Sequence, residues 1–386
     1  MKKSSDRIFP QQETNKFSFD NVRTGLIAAA LILPISDQSK AETAPEQGTI
    51  SYKYLDYLDS QPGDDRIRVK ANAFRVLSPI SSEWSLNSSL ITDGISGASP
   101  SYHNSNLKKM QDRRNAATTE VTRYLPDGTV SVGLNYSKEQ DYLSKGLVLK
   151  GTHQRDDKNL IWNYGLSISM DNINPSNGIV QNEEKKVVDL IGGVTRILTE
   201  NDIVQFNIGQ SIGSGYFTDP YKLIDNRPRN RNHTTFTTRW NHYINDWDAT
   251  LKFSYRFYHD NWDIRSHTFD VEYSKAVAGG WIISPMLRLY FQNSANFYID
   301  ADSSTYPFPP QPSAGARYYS EDQRLSAFGA EAVGLKITKI LDKNWFVDLK
   351  IEEYTQKGSW YVFGKGSPGL AEFRARTMQF GISRRF

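Results

Sequence analysis

Cysteine is absent from this 386-residue chain, so disulfides, thiolate metal sites and thiol nucleophiles are excluded. Long apolar runs are missing as well: no stretch of about eighteen apolar residues, as a membrane-spanning helix requires, occurs in the sequence. Neither sign of charge dominates, because the formal net charge is only +3, and this argues against a general nucleic-acid surface. Aromatic residues, in contrast, are plentiful at 12%, which is high for so polar a chain.

The first part of the chain has the pattern of an export signal. A basic segment precedes the apolar stretch Leu26–Ile35, which is too short to span a bilayer as a helix. Ser39 and Ala41 then occupy the small-residue positions of a cleavage site. We therefore predict a signal peptide at residues 1–41, cleaved on export, and a mature chain of residues 42–386 in the envelope of a Gram-negative bacterium.

The segment "WDATLKFSYRFY", Trp247–Tyr258, alternates between apolar and polar residues with a period of two. Such alternation is typical of a β-strand with one apolar and one wet face. Three other segments, "TVSVGLNYS", "LIWNYGLSISM" and "WFVDLKIE", alternate in the same way. With weaker candidates, the last two near 321–338 and 372–386, they predict about sixteen strands of about ten residues, the length at which a tilted strand crosses a bilayer.

The connections between these strands alternate in length. Every second connection is a tight turn such as "LPDGT", "LTEND" or "LDKN", and the others are long. The long ones are Asp93–Asn115, Asp171–Lys185, Gly213–Arg231, Asn293–Ser320 and Lys357–Ala371. This layout predicts an all-β protein, a transmembrane antiparallel β-barrel of the outer membrane, with short periplasmic turns and long extracellular loops.

Tryptophans and the C-terminus agree with a barrel. Six of the eight tryptophans fall near the short-turn ends of strands, where a ring with a polar N–H suits a membrane interface. These are Trp84, Trp162, Trp240, Trp247, Trp281 and Trp345. The final "TMQFGISRRF" places Phe380, Ile382 and Phe386 on one face, and we interpret them as the signal by which the barrel-assembly machinery inserts such proteins. Arg384 departs from the usual apolar residue there and is expected to snorkel.

Two further stretches carry a family resemblance. They are "TDGISGASPSYHN", Thr92–Asn104, and "LNYSKEQDYLS", Leu134–Ser144. The chain resembles a bacterial family catalogued as domain-of-unknown-function family 3570, most sharply in a loop motif of five residues and in Ser137–Tyr142. The loop motif consists of Ser96, Gly97, Ala98, Ser99 and Pro100. The resemblance implies an exported outer-membrane barrel and, from neighbouring genes for flavin-attachment and thioredoxin-like proteins, a redox-linked envelope partner.

The wet faces of the strands predict which charges line the lumen of the barrel. These candidates are Asp248, Lys252, Arg256, Glu272, Asp348, Lys350 and Glu352. Because both signs are present, we expect only weak selectivity among ions.

Catalytic and metal-binding patterns are weak. No Asp-x-His pair of an omptin-like protease occurs, and the Ser266–His267 neighbours point to opposite faces of a strand. His259, Asp260 and Asp263 form either a polar turn or a metal site. Four carboxylates, those of Asp93, Asp112, Glu139 and Asp141, could supply calcium ligands, but their spacing is not that of a regular calcium loop. We predict no catalytic site, no metal site and no cofactor, and leave loop calcium binding open.

Three functions remain in competition. The first is a porin-like channel without enzymatic activity, since barrels of about sixteen strands leave an aqueous lumen. The second is a scaffold or conduit that holds an envelope protein partner, and the third is a barrel hydrolase. The expected contacts are outer-membrane lipid and the assembly machinery, not nucleic acid. The charged run at 108–114, "KKMQDRR", is expected to be helical and to narrow the lumen.

Overall fold

The computed structural model describes residues 43–62, 64–98, 109–155, 158–300 and 311–386. The predicted signal peptide, residues 1–41, lies outside these ranges. No helix among the described residues has both the length and the apolar character needed to cross a bilayer.

Within the described residues, sixteen long strands close into one antiparallel barrel, and two dipeptide strands, β10 and β15, pair with each other in the loops. The strands are β1 (Thr49–Gln61), β2 (Asp64–Pro79), β3 (Trp84–Ala98), β4 (Lys109–Leu125), β5 (Gly128–Lys138), β6 (Tyr142–Gln154), β7 (Leu160–Ile173), β8 (Glu183–Ile197), β9 (Asp202–Gly215), β10 (Asp225–Asn226), β11 (Asn230–Ile244), β12 (Ala249–Asp260), β13 (Arg265–Val277), β14 (Trp281–Gln292), β15 (Tyr319–Ser320), β16 (Phe328–Ile340), β17 (Trp345–Lys357) and β18 (Phe373–Arg385). The predicted barrel of about sixteen strands is confirmed.

The first and last strands close the barrel. Thr49 of β1 pairs with Arg385 of β18, and the ladder continues without a shift to Ser60 and Arg374. A closed sheet satisfies the backbone donors and acceptors of every strand and leaves no open edge, which is the requirement for crossing a bilayer. The even number of strands brings the start of β1 and the end of β18 to the same end of the barrel as the short turns.

Alternation assigns the two faces of each strand. On β12, Lys252 lies opposite Glu272 of β13 and Asn241 of β11, and these polar residues face the lumen. Leu251 and Phe253, one position away on either side, therefore face outward. The outer surface carries large apolar side chains that no protein covers, among them Leu90, Leu134, Ile208, Val333, Met378 and Phe380. An exposed apolar belt of this kind fits lipid and not water.

Three of the five long connections, those predicted at 93–115, 171–185 and 213–231, are shorter than the sequence predicts. The region 93–115 was expected to be a loop, yet β3 continues to Ala98 and β4 starts at Lys109, so the prediction of a helix at 108–114 is wrong. The physical reason is the wet lumen, where Asp93 and Arg114 face each other across the β3–β4 ladder. Polar residues at these positions therefore prolong a strand instead of ending it. The connection after β14 is instead longer, because the strand expected at 321–338 starts only at Phe328.

Tryptophans mark the short-turn end, as predicted, but not all lie on strands. Trp247 ends a 3-10 turn, Asn245–Trp247, before β12. Basic side chains stack over three of the strand tryptophans: Arg123 lies 5.5 Å from the ring centroid of Trp84. Lys339 lies over Trp281 and Arg384 over Trp345, at 4.7 and 5.3 Å. These contacts hold a charge beside an interfacial ring, where cation–π attraction and water are both within reach.

The C-terminal residue completes the seam between β18 and β1. The backbone of Phe386 exchanges two hydrogen bonds with Gly48, at 2.9 and 3.0 Å. The Phe386 ring covers Gly48 so closely that a Cβ atom at residue 48 would lie 2.3 Å from it. Phe380 and Ile382 share the outward face with this ring, in keeping with the predicted insertion signal.

We expect deletion of Phe386 to lower the amount of barrel assembled in the outer membrane severalfold. The deletion removes both the terminal aromatic ring and two seam hydrogen bonds, each of which contributes about 1 kcal/mol. The measurement is an immunoblot of outer-membrane fractions, in which a folded barrel migrates faster unheated than boiled. A Phe386→Tyr variant keeps the ring and the backbone and serves as the control. Equal levels of all three proteins would show that residue 386 carries no insertion signal.

Candidate functional site in the lumen and its outer mouth

One half of the lumen wall carries a series of cross-strand ion pairs. Lys252 of β12 pairs with Glu272 of β13 at 3.1 Å, and Asp270 of β13 pairs with Arg288 of β14 at 2.5 Å. Lys350 and Glu352, both on the inner face of β17, lie 2.8 Å apart. Each pair joins inward-facing side chains, so opposite charges alternate around this half of the wall.

The other half of the wall repeats the arrangement. Lys150 of β6 pairs with Glu120 of β4 at 2.7 Å, and Lys185 of β8 pairs with Asp171 of β7 at 3.2 Å. The Lys150 side chain is 55% exposed although it points into the barrel, and that of Arg288 on the facing half is 52% exposed. The lumen therefore contains space for water between two walls of mixed charge.

Six of the seven predicted lumen residues lie on the inner face of a strand. Besides the ion-paired ones, Arg256 contacts the hydroxyl of Thr268 at 3.3 Å, and Asp348 is near enough to Lys53 and Lys336 to interact with both. Asp248 is different. It lies in the turn before β12 with a left-handed backbone, φ 47°, and accepts a hydrogen bond from the Tyr243 hydroxyl. The prediction that Asp248 lines the wall is thus wrong, because the strand begins one residue later.

The family-motif residues are divided by the end of a strand. Ser96, Gly97 and Ala98 belong to β3, where Ser96 faces outward, and Ser99 and Pro100 lie outside the described residues. Ser96 pairs with Arg68 of β2 and Gln111 of β4 in the backbone ladder. The first three residues of the predicted loop motif are therefore part of the barrel wall.

At the long-loop end, which we call the outer mouth, two loops fold inward. We name residues 216–229 and 311–327 the loop bridge. Its centre is Asp322, whose side chain is 1% exposed and accepts hydrogen bonds from Arg227 at 2.6 Å and from Arg324 at 2.7 Å. Arg324 also donates to Asp219 at 2.8 Å, and Arg227 to Asp225 at 2.9 Å. Two guanidinium groups and three carboxylates thus hold the two loops together.

The loop bridge reaches the rim of the barrel at two distant points. At one end the Gln323 side chain lies 3.5 Å from that of Gln61, at the end of β1. At the other end the Tyr221 hydroxyl donates to the Asp141 carboxylate, between β5 and β6. The bridge therefore crosses the mouth instead of lying along its edge.

An apolar cluster anchors the bridge from below. Leu325 is 2% exposed and packs with Trp262 and Ile264 of the β12–β13 turn. Arg231 of β11 stacks over the Trp262 ring at 4.2 Å and pairs with Asp260 at 2.7 Å. Beneath the bridge on this side, the space between Arg227, Arg324 and the wall holds only about one or two water molecules. This part of the mouth is filled by protein.

Asp260 does not behave as a metal ligand. Its carboxylate accepts hydrogen bonds from Arg231, from the Tyr258 hydroxyl, and from the backbone of Trp262 and Ile264. These bonds build the turn and satisfy both oxygens. The arrangement of His259, Asp260 and Asp263 accordingly favours the polar turn over the metal site.

Burial and charge act in opposite directions on Asp322. Burial favours the neutral acid, but Arg324, Lys222 and Arg227 more than offset this and hold the pKa of Asp322 well below its usual range. A carboxyl with a lowered pKa stabilises its surroundings above that pKa and ceases to do so only as the pH falls through it. The contacts of Asp322 with Arg227 and Arg324 are therefore expected to persist in mild acid.

Sequence patterns did not reveal the centre of the loop bridge. Arg227 and Asp322 are 95 positions apart in connections without periodicity. The only available signal was the Asp-x-Arg spacing of Asp322 and Arg324, a spacing too common to single out a site.

A family model described as "Protein of unknown function (DUF3570)" matches residues 104–377, more than two thirds of the chain. None of the curated proteins matches. Among solved structures, the siderophore receptor PirA from Pseudomonas aeruginosa is 12% identical to this chain, with a TM-score of 0.43. The match covers 88% of this chain and only 63% of the receptor. A bacterial polysaccharide outer membrane secretin is 8% identical with a TM-score of 0.49, covering 88% and 98% of the two chains. The Pseudomonas aeruginosa protein OccK2 (OpdF) is 8% identical with a TM-score of 0.46, covering 89% and 99%.

Proposed function

We propose that this chain, which belongs to the DUF3570 family, is a passive outer-membrane channel for small polar solutes. The loop bridge narrows this channel at its outer mouth. The observation that carries the proposal is the water-accessible lumen, in which Arg288 and Lys150 are half exposed on facing walls. A barrel whose only role was to anchor a partner would gain nothing from solvated charges along its interior.

The mixed lining sets the expected selectivity. Acidic and basic side chains alternate around both halves of the wall, so the lumen offers neither cations nor anions a field of one sign. A zwitterionic or neutral solute therefore finds both acidic and basic side chains on every side of the lumen. The proposal therefore favours small zwitterionic or neutral polar solutes over strongly charged ones.

The wall also supports the proposal that this is not an enzyme. Several inward-facing carboxylates are engaged with basic partners, as in the Asp270–Arg288 and Glu120–Lys150 pairs. A general acid or base needs a side chain that can exchange a proton with a substrate, which an ion-paired carboxylate does poorly. The contacts we propose for the outside of the barrel are outer-membrane lipid and the assembly machinery.

Removing one lumen charge tests the channel directly. We expect Lys150→Gln to shift the reversal potential of the barrel in a salt gradient toward cation preference, because the unpaired Glu120 then faces the lumen. The matched control is Lys145→Gln on the same strand, whose side chain faces outward and is expected to leave the reversal potential unchanged. The measurement is ion current through the purified protein in planar bilayers.

A barrel that inserts stably and carries no current would contradict the channel. That outcome would favour the second candidate, a scaffold or conduit holding an envelope partner. The observation in favour of this candidate is the loop bridge itself, which fills part of the outer mouth with buried side chains such as Leu325 and Asp322.

A further inference from the structure

Three carboxylates meet at the outer rim, away from the ion pairs of the lumen. Asp112 is the inward-facing residue of β4 opposite Ile95, and Glu139 and Asp141 lie in the connection between β5 and β6. One carboxylate oxygen from each lies within 4.8 Å of the other two. Like charges at this distance repel strongly in a partly buried site.

One of the three is buried without a balancing contact. Glu139 is only 8% exposed, and among the described residues no hydrogen bond or ion pair reaches its carboxylate. Its backbone N–H alone is used, in a bond of 2.8 Å to the carbonyl of Tyr142. A buried carboxylate directed at two others is stabilised either by a positive charge among them or by taking up a proton, and burial raises the pKa of Glu139 to about 7.

The neighbouring basic group does not supply that charge in full. Arg114, next to Asp112 on the inner face of β4, already pairs with Asp93 at 2.7 Å. Asp93 adds a fourth carboxylate, and its second oxygen, Oδ1, is buried without a hydrogen-bond partner. Among the described residues, four acidic groups thus face one guanidinium, which leaves an excess of negative charge in this part of the rim.

We propose that Asp112, Glu139 and Asp141 bind one calcium ion. Oxygen atoms on opposite sides of a calcium ion stand about 5 Å apart, at Ca–O distances of about 2.3–2.6 Å, and the three carboxylate oxygens, which lie within 4.8 Å of one another, are close enough together to share one ion. Three carboxylates, each of which can bind through one or two oxygens, provide about half or more of the six to eight ligands, and water supplies the rest. The ligand set contains only oxygen, which suits calcium and does not suit zinc.

The ion would tie together three parts of the outer mouth. Asp112 belongs to the wall, Glu139 and Asp141 to the β5–β6 connection, and Asp141 accepts the hydroxyl of Tyr221 from the loop bridge. The same hydroxyl also accepts a hydrogen bond of 3.1 Å from the backbone of Ser176, in the β7–β8 connection. The site is independent of whether the barrel conducts ions, because it rests on rim residues alone.

The test is calcium binding to the purified protein, folded in detergent free of lipopolysaccharide so that lipid phosphates do not compete. We expect one saturable site with a Kd on the order of 10⁻⁴–10⁻³ M, the range of extracellular calcium modules. Glu139→Gln should weaken binding by at least about tenfold, as should Asp112→Asn, whereas Glu200→Gln in an exposed turn at the opposite end should not. Binding is followed by isothermal calorimetry and by terbium luminescence sensitised through Tyr221.

Thermal unfolding separates a lost site from a damaged fold. In a chelator, Glu139→Gln should melt at a higher temperature than the unmodified protein, because one of the repelling charges is gone. Added calcium should then raise the melting temperature of the unmodified protein and not that of the variant. Absence of saturable binding up to about 10 mM calcium, or equal binding by Glu139→Gln and the unmodified protein, would overturn the proposal.

Discussion

Replacing Asp322 by alanine is expected to raise the single-channel conductance of the barrel severalfold while the barrel itself stays folded. The Asp322 carboxylate is buried and holds Arg227 of one loop and Arg324 of the other. Removing one partner of a buried pair costs about 3–5 kcal/mol, and Arg227 and Arg324 would keep only Asp225 and Asp219 as partners. Loops of this kind open locally at a lower free energy than the wall unfolds, so the cost falls on the loop bridge.

Two further variants and one change of pH test this prediction. Asp246→Ala changes an exposed aspartate in a turn at the opposite end and should leave the conductance as it was. Asp322→Asn keeps the hydrogen-bonding shape but not the charge and should lie between the two. Lowering the pH from 7 to 5 should not open the unmodified channel, because the pKa of Asp322 is held well below its usual range. A conductance that stays constant in Asp322→Ala would mean that the loop bridge does not limit the pore.

The strand faces could be predicted because lipid and lumen impose opposite demands at every second residue. On β12 this separates Leu251 and Phe253 from Lys252 and Arg256 without any knowledge of the partner strands. The ends of strands were less predictable, because in a wet lumen polarity no longer marks a loop. Asp93 and Arg114 look like loop residues in the sequence and are in fact a buried pair between β3 and β4.

The outer mouth could not be predicted for a different reason. Its contacts join residues far apart in the chain, such as Asp219 with Arg324 and Tyr221 with Asp141, which are separated by 105 and 80 positions. No periodicity links them, since each depends on how a loop folds back over a barrel already closed. The three carboxylates of the proposed calcium site were partly predictable. The sequence singled out Asp112, Glu139 and Asp141 as candidate ligands, but only the closed barrel brings their oxygens together.

The largest stability effect is expected from placing a charge on the outer face of β12. Leu251→Arg and Phe253→Arg each place a guanidinium on the lipid-facing side of β12, and Phe253, which lies closer to the middle of the strand, is expected to show the larger cost, toward the about 2–4 kcal/mol of a midplane charge in a transmembrane barrel. That is a large part of the free energy of unfolding of an ordinary protein. Lys252→Gln, between them in sequence, faces the lumen and loses only a pair with Glu272, which keeps a hydrogen bond of 2.8 Å from the Ser274 hydroxyl. A loss of about 1 kcal/mol or less is expected there.

The comparison is made by urea unfolding of these three variants and of Leu251→Phe, each folded into phospholipid vesicles. The measurement distinguishes a strand that faces lipid from a strand that faces a packed protein core. The alternation of apolar and polar residues cannot distinguish them, because strands of a soluble β-sandwich alternate in the same way. In a sandwich the face of Leu251 and Phe253 would be a packed core, and Lys252 would stand in bulk water at no cost. In the barrel the outer face tolerates large apolar exchanges such as Leu251→Phe, since lipid adapts its shape where a packed core does not. Destabilisation by Leu251→Phe as large as that by Leu251→Arg would therefore contradict a lipid-facing strand, whereas near-neutrality of the first beside a clear loss in the second, and a larger loss in Phe253→Arg, is what a bilayer around this face requires.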